Sequence, residues 1–242
     1  MKLQICHFYP DILNLSGDRG NILCLKKRLE WRGIEAEITR VTAGQAAPLS
    51  EFDIIYIGGG EDFAPGGVLN PELAWRFDEL REAARNDAVI LAVCGGFELL
   101  GKYIELEDGT KIELAGLLDM HTSMSGERIV GEFLFEGDGF GEAAAFENHY
   151  GHAFLADALK PLGSIIKGGG NNGSDGTEGA RLGNIFASFA QGPLLPKNPA
   201  LADMLLTAAL SRKYPGAVLE PLDDEIENTA RNYLARKIRA AE

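Results

Sequence analysis

The sequence predicts an α/β protein built on a mostly parallel sheet, with helices on both faces and some antiparallel strands. Three observations predict it. Apolar runs at residues 3–8, 53–57 and 88–93 are too short for buried helices and read as strands covered on both sides. Stretches of helical periodicity separate these runs. Two of the strands then run directly into glycines, Gly58-Gly59-Gly60 and Gly95-Gly96, at the carboxyl ends where such sheets collect their ligands.

In order along the chain, the first strand ends near Pro10. A turn-rich loop, Asn14-Leu15-Ser16-Gly17-Asp18-Arg19-Gly20-Asn21, then feeds a helix near residues 20–32 with Ile22, Leu25 and Leu29 on one face and Gly33 as its stop. Residues 34–41 alternate as a strand, with Ile34, Ala36 and Ile38 on one side. After the glycine turn at 58–60, Asn70 and Pro71 mark a helix start, and Leu73, Phe77, Leu80 and Ala84 form its apolar stripe. Asp108-Gly109 reads as a hairpin turn, and residues 128–135 and 144–149 as strands. Residues 167–179 are so rich in Gly and Asn that they read as a mobile surface loop; they lack the lysine–serine pair of a phosphate cradle. A last strand at 184–190 is broken by Gln191-Gly192-Pro193, and a helix follows from about 199 to 212. Beyond Pro215 and Pro221 an acidic-then-basic amphipathic helix is expected at about 223–240, with Ile226, Tyr233 and Ile238 among its apolar residues. The expected organisation is a main domain over 1–213 with a helical extension over 214–242.

Composition excludes some classes. With 23 Lys+Arg against 36 Asp+Glu, the net charge of −13 disfavours a nucleic-acid binder. The amino terminus carries no apolar signal region, and no run approaches the length of a membrane span, so a cytoplasmic protein without membrane insertion is expected. Cys6, Cys24 and Cys94 are widely spaced and read as reduced thiols. The histidines have no carboxylates at ligand spacing, so neither a metal site nor a cofactor is expected.

The chemistry centres on residues 89–101, Val-Ile-Leu-Ala-Val-Cys-Gly-Gly-Phe-Glu-Leu-Leu-Gly. A strand that turns sharply into a helix strains its corner residue and requires small neighbours two positions away on each side. Here those are Ala92 and Gly96, which gives a nucleophile elbow with Cys94 in the serine's place. A helix N-terminus beside the sulfur favours thiolate; the competing reading is an inert buried cysteine. A thiolate attacking a carbonyl needs donors for the developing oxyanion. The N–H of Gly95 and one from the Gly58–Gly60 loop, taken as Gly60, can supply them, although the glycine run is equally the composition of a plain tight turn. Acyl transfer from a small amide or ester is the reaction class these residues support.

Beyond this local reading, the chain resembles the class I (triad) glutamine amidotransferases, in particular their cobyric-acid-synthase-like branch and, within it, the glutaminase subunits of lipid II isoglutaminyl synthase. The likeness covers nearly all of residues 1–213. It rests on Tyr9-Pro10-Asp11 with Gly17-Asp18-Arg19-Gly20-Asn21, Gly58-Gly59-Gly60-Glu61-Asp62-Phe63, the Cys94–Gly101 segment, Arg128-Ile129-Val130-Gly131, Phe146-Glu147-Asn148-His149, and Gly192-Pro193-Leu194-Leu195-Pro196-Lys197-Asn198-Pro199, all in the family's order. The resemblance implies a flavodoxin-like fold and hydrolysis of L-glutamine by Cys94 through a glutamyl thioester, with Arg128 holding the substrate by a clamp on its α-carboxylate. It also implies a separate, ATP-dependent, Mur-ligase-like partner that takes the ammonia and amidates the D-glutamate of the peptidoglycan stem.

One departure stands out. Where the family carries its catalytic histidine, this chain has Gln191. Glutamine can hydrogen-bond but cannot shuttle a proton, and a positioned acid–base group is typically worth about 10²–10⁴ in rate. Three readings follow: His149 takes over as base, or activity is slow or depends on the partner, or the subunit is non-catalytic. A histidine in a strand is often only structural, and His7, His121 and His152 match no catalytic position. A corrinoid amidotransferase is a further rival, disfavoured because those enzymes usually carry a nucleotide-binding synthetase domain in the same chain and none is visible in these residues.

Overall fold

The computed structural model describes residues 1–15, 17–42, 44–45, 47–60 and 76–241. Its centre is a six-stranded sheet made of β1 (Lys2–Phe8), β2 (Glu35–Val41), β3 (Ile54–Ile57), β4 (Val89–Val93), β13 (Ala180–Leu182) and β14 (Ile185–Ser188), in the order β13-β14-β4-β3-β1-β2. All neighbours run parallel except β13 against β14. Side chains alternate between two apolar layers, so both faces of each central strand are greasy. Leu3, Ile5, Val89 and Leu91 enter one layer, and Cys6, Phe8, Ile90 and Ala92 the other. That double burial is why these strands read as continuous apolar runs.

Helix α1 (Arg19–Glu30) covers the first layer with Ile22, Leu25 and Leu29, and Gly33 at φ +67° closes its end as expected. Helix α2 (Arg76–Arg85) covers the second with Phe77 and Leu80; its expected start at Asn70, Pro71 and Leu73 lies outside the described residues. A short helix, α3 (Gly95–Leu99), follows the elbow. Two four-stranded sheets complete the body. One has the order β10 (His152–Leu155), β7 (Met120–Ser123), β5 (Tyr103–Glu105), β6 (Lys111–Glu113). The other runs β12 (Thr177–Glu178), β11 (Gly163–Lys167), β8 (Ile129–Gly137), β9 (Gly141–His149), all antiparallel. The β5–β6 hairpin turns at Asp108-Gly109, where Gly109 has φ +82°.

Near the carboxyl terminus, α4 (Leu194–Lys197), α5 (Pro199–Lys213) and α6 (Glu225–Ala240) follow in turn. Arg28 of α1 is buried and its guanidinium is shared between Asp203 of α5 and Asp224 at the start of α6. Helix α6 lays Ala235 and Ile238 on Leu134 and Ala144, while Ile226 and Tyr233 stay exposed.

The Gly/Asn-rich segment corrects the sequence reading. Residues 167–179 are only in part the expected surface loop: 173–176 form an exposed tip, but Asn171 and Glu178 are fully buried, and Thr177–Glu178 forms strand β12. Asn171 replaces sheet pairing by bonding the backbone of Gly179 through both ends of its amide. The N–H groups of Gly169 and Gly170 both cap the Glu147 carboxylate at 2.8 Å. Away from that exposed tip, the polar composition here reflects internal hydrogen bonding.

Candidate active site

Cys94 sits at the carboxyl end of β4 with φ +54° and ψ −117°, a conformation that L-residues rarely adopt. The small residues around it are sterically required. A Cβ on Gly96 would lie 2.6 Å from the Ile57 carbonyl oxygen, and Ala92 is fully buried. The strain is held in place from the β14 side, where Cys94 N–H donates to the Ser188 carbonyl at 2.8 Å.

The glycine turn after β3 lies directly against the sulfur. A Cβ on Gly59 would stand 3.1 Å from Cys94 Cβ and 3.6 Å from Sγ. Gly59 N–H donates to Asp18 Oδ2 at 3.2 Å, and Tyr56 donates its hydroxyl proton to Asp18 Oδ1 at 2.6 Å. Asn21 closes the set by donating to the Tyr56 oxygen at 2.9 Å and accepting from Leu195 N–H. Burial, reinforced by the Asp18 charge, pushes the Tyr56 phenol well above its usual range, so it remains a donor. Gly17 and Gly20 belong to this arrangement, because side chains there would run into Pro193, two residues from Gln191.

Gln191 arrives from the segment after β14 and is buried. Its Nε2 donates to Cys94 Sγ at 3.1 Å and to the Asn148 carbonyl at 2.7 Å, and its backbone N–H donates to the Phe146 carbonyl. Asn148 reaches the other way with its side chain: Oδ1 accepts from Arg128 Nε at 2.7 Å. Arg128 is otherwise exposed, and its two terminal nitrogens have no partner among the described residues. A line Arg128–Asn148–Gln191–Cys94 therefore runs across the site.

His149 is placed differently. Its ring is buried and stacked on Phe189, with centroids 3.8 Å apart and planes 4° from parallel. Nδ1 bonds the Gly151 carbonyl at 2.7 Å, while Nε2 has no hydrogen-bond partner among the described residues and lies 3.9 Å from Glu147 Oε2. The structure thus brings Cys94, Gln191, the 58–60 turn and, through Asn148, Arg128 together, and records no bond between His149 and the sulfur. Gly95 is the first residue of α3, next to Cys94, and Gly60 ends the described part of the turn. Sequence reasoning missed the positioning roles of Asn148, Asp18 and Gly59, though all three lie inside motifs it had singled out. Among the described residues, no three His, Cys, Asp or Glu side chains gather in a way that could hold a metal.

The family model for the CobB/CobQ-like glutamine amidotransferase domain matches residues 4–199. The chain belongs to this family. That places it among the glutamine amidotransferase enzymes, and the flavodoxin-like α/β architecture described above is the fold of that class. Among relatives, the GatD subunit of lipid II isoglutaminyl synthase (glutamine-hydrolyzing) from Streptococcus pneumoniae is 36% identical, covering 93% of this chain and 87% of its own. The Staphylococcus aureus GatD subunit is also 36% identical, over 96% of this chain and 95% of its own. A probable cobyric acid synthase from Methanothermobacter thermautotrophicus is 33% identical over only 48% of this chain and 25% of its own. Among solved structures, a glutamine amidotransferase from Thermotoga maritima superposes with a TM-score of 0.55 at 15% identity, covering 98% of this chain and 99% of its own, a likeness of fold alone.

Proposed function

We propose that this chain is the glutaminase subunit of a two-protein amidotransferase, releasing ammonia from L-glutamine for a Mur-ligase-like, ATP-dependent partner that amidates the D-glutamate of the peptidoglycan stem. Residues 1–213 form the amidotransferase unit, 214–242 its helical extension, and the complex works in the cytoplasm. Similarity over nearly the whole length to the two GatD subunits supports the acceptor. Among the described residues no helix is long and apolar enough to cross a membrane.

The observation that carries the chemistry is Cys94 held at a positive-φ corner with Gly59 against one side of the sulfur and an amide N–H of Gln191 on the other. Sγ attacks the side-chain carbonyl carbon of glutamine, and the oxyanion that forms is met by the N–H groups of Gly95 and Gly60. Gly59 cannot serve as donor in this geometry, because its N–H is already given to Asp18. The tetrahedral intermediate collapses with departure of ammonia, leaving a glutamyl thioester, and water then releases glutamate and the thiol. The terminal nitrogens of Arg128, without a partner among the described residues, suit a bidentate grip on the α-carboxylate.

The proton traffic distinguishes two versions. Gln191 donates to the sulfur but cannot carry its proton to departing ammonia. His149 keeps Nε2 unpaired among the described residues, yet its ring is locked against Phe189 with Nδ1 committed to Gly151. This favours an enzyme that is slow alone and completed by its partner. The second reading, a non-catalytic amidotransferase-like subunit, rests on Gln191 itself. Labelling of Cys94 by a glutamine-analogue electrophile, together with ammonia release measured with and without the ligase, separates them. Labelling and partner-stimulated release that vanish in Cys94→Ala support catalysis; silence in both assays with the partner present supports the second reading.

A further inference from the structure

Between α1 and the strands β1 and β2 lies a cavity of about 220 Å³ lined by His7, Pro10, Asn14, Arg19, Lys26 and Arg40, among others. In a chain of net charge −13 this is a concentration of positive charge. The cations come from separate elements: Arg19 opens α1, Lys26 sits two turns later, and Arg40 is on β2. The guanidinium groups of Arg19 and Arg40 form no ion pair among the described residues, and Lys26 keeps only a 3.6 Å approach to Glu30. His7 pairs with Arg40 in the β1–β2 register, so both project to the same side. His7 is 4% exposed and edges its ring against Tyr56, with Nε2 buried out of reach of the cavity. Asn14 gives its oxygen to Arg19 N–H, which leaves its amide nitrogen as a donor.

Cations such as Arg19 and Arg40 that share one cavity without carboxylate partners among the described residues repel one another. An anion relieves that repulsion. A planar carboxylate matches one guanidinium fork, whereas a tetrahedral phosphate presents oxygens in several directions with nearly two negative charges. We propose that this cavity binds a phosphate-class oxyanion, either free or as the mono- or diphosphate group of a larger molecule. The cavity lining includes none of Cys94, Gln191 and Arg128, and the inference does not rest on the glutaminase reading.

The test is calorimetric titration of the intact chain with inorganic phosphate and with pyrophosphate, at an ionic strength held constant with sodium chloride. Phosphorus NMR follows the ligand in parallel. Saturable one-to-one binding is expected, weakened tenfold or more in Arg40→Gln and in Arg19→Gln, both on exposed side chains. It should be unchanged in Lys160→Gln, an exposed lysine outside the cavity. A phenyl phosphate arm that binds as well as inorganic phosphate identifies an ester-bearing ligand; exclusive binding of the inorganic ions identifies a free-ion site, and both satisfy the proposal. No saturable binding, equal binding of acetate, or an equal loss in Lys160→Gln would overturn it.

Discussion

Gln191 Nε2 donates both to Cys94 Sγ, at 3.1 Å, and to the Asn148 carbonyl, at 2.7 Å. The carbonyl can only accept, so the amide is oriented unambiguously, with its nitrogen at the sulfur. In the proposed mechanism Gln191 stands where a general base is needed and supplies only half of that base's chemistry, since it can stabilise a thiolate but cannot exchange a proton with it.

Replacing that amide by imidazole supplies the missing half. Gln191→His is expected to raise glutaminase activity of the isolated chain by about 10²–10⁴, the usual worth of a positioned acid–base group. Ammonia release under saturating glutamine checks it. The pH profile should gain a limb near the histidine range that the parent lacks. An unchanged rate would mean that proton transfer does not limit this enzyme.

The corner at Cys94 trades stability for function. With φ at +54°, any side chain is strained there, and glycine is not. Cys94→Gly should be more stable than Cys94→Ala by about 1 kcal/mol in urea unfolding, and both should lose all glutamine hydrolysis. Equal stabilities would show that the strain is relieved elsewhere in the loop.

Arg128 is anchored at Nε by Asn148, and its two terminal nitrogens have no partner among the described residues. Removing the guanidinium should therefore weaken glutamine binding more than it slows chemistry. Arg128→Ala is expected to raise KM by about 10–100-fold, the loss of a charged hydrogen-bonded contact worth roughly 1.5–3 kcal/mol, with a smaller change in kcat. Arg128→Lys should recover little, because an ammonium cannot grip a carboxylate bidentately. Asn148→Ala should show a milder KM effect by releasing Nε.

How much of this was legible follows from the range of each interaction. The elbow needs only neighbours two residues away, so Ala92 and Gly96 betray it in the sequence. The parallel sheet declares itself because strands buried on both faces are apolar throughout. Asn148 declares nothing: its role appears only when β8 and β9 pair and bring it between Arg128 and Gln191. The segment at 167–179 misleads for the same reason. Its glycines and asparagines look solvated until Glu147, some twenty residues away in sequence, is seen resting on the N–H groups of Gly169 and Gly170. Local composition cannot distinguish a polar residue that faces water from one that satisfies a buried partner.

Glu178 offers a test of that buried polar layer. Its Oε1 accepts from the Ser188 hydroxyl at 2.6 Å and from Phe189 N–H at 2.9 Å, while Oε2 is buried without a partner among the described residues. Burial, aided by the nearby Glu147 charge and only partly opposed by those bonds, raises its pKa to about 7. An unfolded glutamate titrates near 4.3. Between those two values the folded state binds the extra proton, so stability must fall as pH rises from about 4.3 through 7, by up to roughly 4 kcal/mol. Glu178→Gln retains an acceptor for Ser188 and Phe189 and removes the charge. The variant should therefore be more stable than the parent at pH 8, by about 1–3 kcal/mol, with the advantage shrinking toward pH 5. Urea unfolding of both proteins at several pH values across that window measures the difference directly. A gap that does not change with pH would mean that Glu178 is neutral in the folded protein throughout, or charged throughout.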